Sequence, residues 1–155
     1  MLFRSDEIFR SPHIARVVVA ELDPSDPQET FYTIDADGSF SSSGPAAAVA
    51  GTADSAAAIL AHLKAGADQD ASLDAALDRA LQAWAVGRVH AERQVDKVED
   101  EPDEPVSEED VLAAVRAVLE TGRIEASVLD RTMPTKTRFR LLSEADLKGA
   151  LARFR

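Results

Sequence analysis

The stretch Phe31-Tyr32-Thr33-Ile34-Asp35-Ala36-Asp37-Gly38-Ser39-Phe40 decides how this chain is read. Tyr32 and Ile34 alternate with Thr33 and Asp35, the period-two pattern of a strand. Asp37-Gly38 then signals a tight hairpin turn, because Gly38 tolerates a positive φ without steric cost. Upstream, residues 14–22 carry a β-branched run that is apolar on both alternations, so a buried strand is expected there. Residues 23–27 (Asp-Pro-Ser-Asp-Pro) read as a loop. Downstream, Phe40 and residues 46–50 are expected to form a return strand, broken by Ser41-Ser42-Ser43-Gly44-Pro45.

Helices follow. Thr52 or Asp54 caps the first, whose Ala56, Ile59, Leu60 and Leu63 recur at helical spacing and so share one face. Gly66 stops it. Ser72 caps a second helix running to about residue 92, with Leu73, Leu77, Leu81 and Trp84 as an apolar stripe, and Trp84 is read as core. Pro102 and Pro105 forbid helix in the acidic segment, which is taken as a loop or linker over residues 93–106. Ser107-Glu108-Glu109-Asp110 has the form of a capping box opening a third helix. Val111, Leu112, Val115, Val118 and Leu119 form its apolar face, and Gly122 stops it. Residues 123–131 are expected as a strand with Ile124, Ala126 and Val128 on one face and Glu125, Ser127 and Leu129 on the other. Residues 132–135 turn the chain into an antiparallel return at 136–142, with Phe139 and Leu141 on one face. Ser143 caps a last helix carrying Leu147, Leu151 and Phe154. Residues 1–12 form a short amphipathic lead ended by Pro12.

The chain has 155 residues, 45% of them hydrophobic, and is read as one domain spanning residues 1–155. It has no cysteine, which excludes a disulfide scaffold, a thiolate metal site and a cysteine nucleophile. Residues 1–10 carry charges throughout and hold no apolar h-region, so no secretory signal is expected. No uncharged apolar run approaches the ~20 residues that span a bilayer. A cytoplasmic location away from membranes is therefore expected. Net charge is −11, from 17 basic and 28 acidic residues. Residues 92–110 hold ten acidic and two basic side chains, which accounts for −8 of that total. Nucleic acid is disfavoured as a partner, since phosphate binding needs a basic face.

Candidate chemistry is sparse. His13, His62 and His90 lie far apart, and none has a partner at i+3 or i+4 that would make a metal pair. Asp35, Asp37 and Asp130 flank turns, where backbone hydrogen bonds explain them better than acid–base work. Ser41-Ser42-Ser43-Gly44 lacks the strand–turn–helix setting of a nucleophile elbow. No phosphate loop is present. Catalytic, cofactor and metal residues are therefore expected to be none.

Several pieces together resemble the C-terminal half of an α-type proteasome subunit of the actinobacterial kind. Val19-Ala20-Glu21 is similar to that family's strand ending in Val-Ala-Glu, and residues 31–39 to its Leu-Tyr-x-Ile-x-x-Asp-Gly-Ser segment. Ala50-Gly51-Thr52 resembles the element opening its third helix, and residues 72–77 its Ser-Leu-x-x-Ala-Leu helix. Residues 124–131 and 138–142 resemble its paired strands of the type Glu-x-Ala-Val-Leu-Asp-Arg and Phe-Arg-Arg. The match lies in order and spacing over about 130 residues, since each piece alone is generic. It implies an α+β fold: half of an αββα N-terminal-nucleophile hydrolase sandwich, antiparallel strands with flanking helices.

The resemblance further implies a non-catalytic subunit with a structural or assembly role in a self-compartmentalised protease core or related oligomer. Expected partners are proteasome-like α or β subunits, a chain supplying the other half of the domain, and a ring ATPase. The expected structural and interface residues are Tyr32, Ile34, Gly38, Val128 and Phe139. Residues 1–12 resemble only the end of one of the family's N-terminal helices, and residues 92–122 are longer than the family's loop. An open strand edge and an uncovered apolar sheet face are thus expected, covered by a partner, by self-association or by the extra helix at 107–121. In β-type relatives a threonine after such a Gly-Thr bond is the nucleophile, but here Thr52 sits mid-chain and is read as a cap. The alternatives are a reduced N-terminal-nucleophile hydrolase with peptidase or amidase activity, processed to Ser5 or Thr52, and an adaptor acting through its acidic loop.

Overall fold

The computed structural model describes residues 15–22, 29–66, 71–95, 104–134 and 137–154. Over these described residues it is an α+β arrangement of four helices and two small antiparallel sheets. The expected lead at 1–12, the loop at 23–27 and His13 lie outside the described residues.

The first sheet is a meander of β1 (Val17–Leu22), β2 (Glu29–Ile34) and β3 (Phe40–Ser43). Val17 pairs with Ile34, and Ile34 with Phe40; Val19 pairs with Tyr32, and Tyr32 with Ser42. Paired residues share a face, so Val17, Val19, Tyr32, Ile34 and Phe40 line one side of the sheet. At the β2–β3 turn the Gly38 N–H donates to the Asp35 carbonyl at 2.9 Å, and the Asp35 N–H donates to the Ser39 carbonyl at 2.9 Å. Gly38 has φ +83°, the left-handed conformation a side chain disfavours. Asp37 closes the loop by accepting from the Ser39 N–H and hydroxyl.

Two expectations are corrected here. The return strand is residues 40–43, and residues 46–50 are not strand. More importantly, β1 is not buried: Val17, Val18 and Val19 are 46%, 38% and 41% exposed. The apolar pattern was that of a strand covered on both faces, but among the described residues no helix packs extensively across this sheet.

The helices close on one another instead. α1 (Ala53–Ala65) begins at Thr52, whose hydroxyl oxygen accepts from the Ser55 N–H, as the sequence expects. α2 (Leu73–Val95) starts after Ser72 and packs against α1, α3 (Glu108–Thr121) and α4 (Glu144–Leu151). α3 and α4 each open with a complete capping box, Ser107 with Asp110 and Ser143 with Asp146, satisfying donors that helix N-termini leave orphaned. Gly87 of α2 allows α1 to approach closely, since a Cβ there would lie 2.5 Å from the Ile59 side chain. Ala85, Val111, Val115 and Phe154 form the core, with Phe154 on the short 3₁₀ turn Ala152–Phe154. Arg153 ties that turn down, donating to Asp78 at 3.0 Å and Glu108 at 2.9 Å.

α3 therefore spends its apolar face on α2 and the C-terminal turn. Of the covers expected for the sheet, the fold-back of this helix is overturned. The second sheet, β4 (Ser127–Leu129) with β5 (Phe139–Leu141), is shorter than the expected strands at 123–131 and 136–142. The alternation nevertheless holds over residues 123–128, with Arg123, Glu125 and Ser127 exposed and Ile124, Ala126 and Val128 half-buried, and it ends at Leu129, which is half-buried like Val128.

Candidate functional site

Two surfaces stand out, and neither carries recognisable catalytic chemistry. The first is the apolar side of the meander. Tyr32 and Ile34 lie on it together, and Gly38 shapes the turn at its end. Phe40, 74% exposed, extends it to the β3 edge. Polar contacts frame the patch: Tyr32 donates to Glu21 at 3.0 Å, and Arg16 pairs with Asp35. Among the described residues β1 and β3 are the outer strands: β3 offers Ser41, Ser42 and Ser43 along its edge, whereas β1 presents six residues with no proline or lysine to blunt pairing.

Val128 and Phe139 belong to the other sheet. Leu129 pairs with Phe139 and Ser127 with Leu141, so Phe139 and Leu141 share a face, and both are exposed. Val128 pairs with Arg140 on the opposite face, where Arg140 donates to Asp146 at 2.9 Å. The five expected interface residues are thus divided between two separate sheets rather than gathered in one place.

The second surface is a cleft of about 330 Å³ between α2, α3, α4 and the segment entering β4. Leu77, Leu81, Trp84, Val118, Ile124 and Leu151 supply its apolar walls, and Arg123 and Glu125 stand beside it. The sequence expects Trp84 in the core; instead it is 38% exposed on the cleft wall. Its place in the leucine stripe was legible, but the stripe lines a cleft that residues of α3 and α4 share. No local signal in the sequence marks that cleft.

The titratable groups serve local structure. The side-chain hydrogen bond from Ser107 holds the Asp110 carboxyl below the usual carboxylate range, helped by the Ser107 N–H and by Arg93. Ser143 does the same for Asp146, with Arg140 adding to it. Ser39 lowers Asp37, and Thr132 lowers Asp130. All four carboxylates accept hydrogen bonds that favour the charged form. Thr52 donates to the Ser55 hydroxyl at 2.8 Å and caps α1. Among the described residues no group of three His, Asp or Glu could hold a metal ion, and no helix is long and apolar enough to cross a membrane.

No family model, no curated protein and no solved structure matches the chain.

Proposed function

We propose that this chain acts as a non-catalytic, α-type proteasome-like subunit, contributing half of an αββα sandwich to a cytoplasmic oligomer. Its role is structural: the meander completes its burial against strands and helices of other chains. The observation that carries the reading is the open apolar side of the meander, with Val17, Val19, Ile34 and Phe40 all more than a third exposed. Large exposed apolar patches mark interaction surfaces. The β1 sequence, apolar on both faces, suits a strand with neighbours on each side. The order of Val19-Ala20-Glu21, residues 31–39, Gly51-Thr52 and residues 124–142 along the chain supports the family assignment.

Native mass spectrometry of the protein isolated from its host tests this. A hetero-oligomer whose second chain supplies strands and helices, or a ring of several copies, is the expected result. A monomer at micromolar concentration, with no bound chain, sinks the proposal. The same spectrum reads processing: a chain beginning at Ser5 or Thr52 would replace the structural role with a hydrolase.

A further inference from the structure

The cleft on the helical side has a feature the subunit reading does not use: the irregular segment that leads into β4 runs along it. Gly122 ends α3 with extended backbone, φ −128° and ψ −172°. From there residues 123–127 alternate exposed and half-buried into β4. The Ala126 carbonyl accepts from the Leu142 N–H at 2.9 Å, which continues the β4–β5 ladder one step. Beyond that step, the backbone N–H and C=O groups of Arg123, Ile124 and Glu125 make no hydrogen bond among the described residues. Unpaired strand groups of this kind accept an added strand, and an adjoining pocket for every second side chain supplies selectivity.

Three properties of the edge define what fits. Ile124 faces the cleft, so a residue paired opposite it points into the same apolar space. At about 330 Å³ the cleft lies at the small end of the ~300–1,000 Å³ range of ligand pockets and has room for an aliphatic side chain. Arg123 and Glu125 flank Ile124 at the cleft and are exposed, and opposite charges directly across a strand pair are favourable.

We propose that residues 123–125 and the Trp84 cleft form a docking site for an extended peptide that pairs antiparallel to this edge. Its central aliphatic residue enters the cleft, its preceding residue is basic and faces Glu125, and its following residue is acidic and faces Arg123. This site is independent of the meander and of the subunit assignment.

Trp84 is the only tryptophan of the chain and lies in the cleft wall, so its emission reports occupancy directly. The full-length protein is titrated with acetyl-Val-Lys-Leu-Glu-Val-amide. A saturable emission shift is expected. Replacing the peptide leucine by aspartate should weaken binding about 10- to 100-fold, the worth of burying one leucine side chain. Exchanging the peptide's lysine and glutamate should weaken binding about 2- to 5-fold, and an Arg123→Glu, Glu125→Arg double variant should reverse that preference. Ala80→Arg, at an exposed position of the cleft wall, should abolish the shift while circular dichroism and the urea midpoint stay unchanged. The proposal is overturned by the absence of a shift at millimolar peptide, by equal binding of the aspartate peptide, or by an undiminished shift in Ala80→Arg. An emission change that follows protein concentration without peptide also overturns it, since a second copy would then fill the cleft.

Discussion

The helical side and the meander draw on the same kind of apolar residue and end in opposite conditions. Val115 of α3 is 0% exposed, whereas Val19 of β1 is 41% exposed. The helices meet side by side, and Gly87 lets α1 seat against α2 while Phe154 plugs the junction of α2 and α3. The meander completes its ladder from β1 through β2 to β3 yet receives no comparable cover among the described residues. The contrast shows that an apolar pattern states a demand for burial and does not say which chain meets it.

Substitutions should separate the two regions sharply. Phe154→Ala removes the largest fully buried side chain and should destabilise the protein by about 3–5 kcal/mol in urea unfolding. A loss below 1 kcal/mol would mean the helical core is as loosely covered as the sheet. Gly87→Ala forces a Cβ into Ile59. Overpacking costs about 1–3 kcal/mol, against about 1 kcal/mol gained in helix propensity, so a net loss of up to about 2 kcal/mol is expected. Adding Ile59→Ala should leave a non-additive coupling between the two sites; simple additivity would place α1 farther from α2.

Ser143→Ala and Ser107→Ala each remove an N-cap and should cost about 1 kcal/mol, read as a shift in denaturant midpoint. Protonating Asp110 and Asp146 attacks the same caps. Their folded pKa values are depressed, so their contribution is present above the usual carboxylate value and is lost as pH falls through the folded one. The urea midpoint should drop below about pH 4, and the drop should be smaller in Asp110→Asn with Asp146→Asn. An unchanged acid limb in that double variant would remove the caps from the explanation.

The smallest effect is expected on the sheet. Ile34→Ser and Phe40→Ser should alter the stability of the isolated chain by no more than about 0.5 kcal/mol, as for surface sites. They should still lower binding of a hydrophobic dye, because both side chains are exposed. A loss above 2 kcal/mol would show that the meander is covered within the chain after all.

Much of the local structure was legible because its causes are local. Thr52, Ser72, Ser107 and Ser143 each sit at the start of a helix and hydrogen-bond to its first turn. Gly38 takes the positive φ that its turn needs. The candidate sites were legible only in part. Tyr32 and Ile34 share a face, as period-two alternation requires, and Phe139 pairs with Leu129 in the other hairpin. Trp84 was misplaced, since a helical stripe records which residues line up and not how closely the next helix lies.

The caps, the turn, the helical faces and the concentration of negative charge before α3 are written in the sequence, because these follow from neighbours within a few residues. Long-range packing sets the rest: α3 belongs to the helical core, the valines of β1 are exposed, and Trp84 borders a cleft. Those outcomes depend on which surfaces meet across long stretches of chain, and many pairings of apolar faces satisfy the same local pattern.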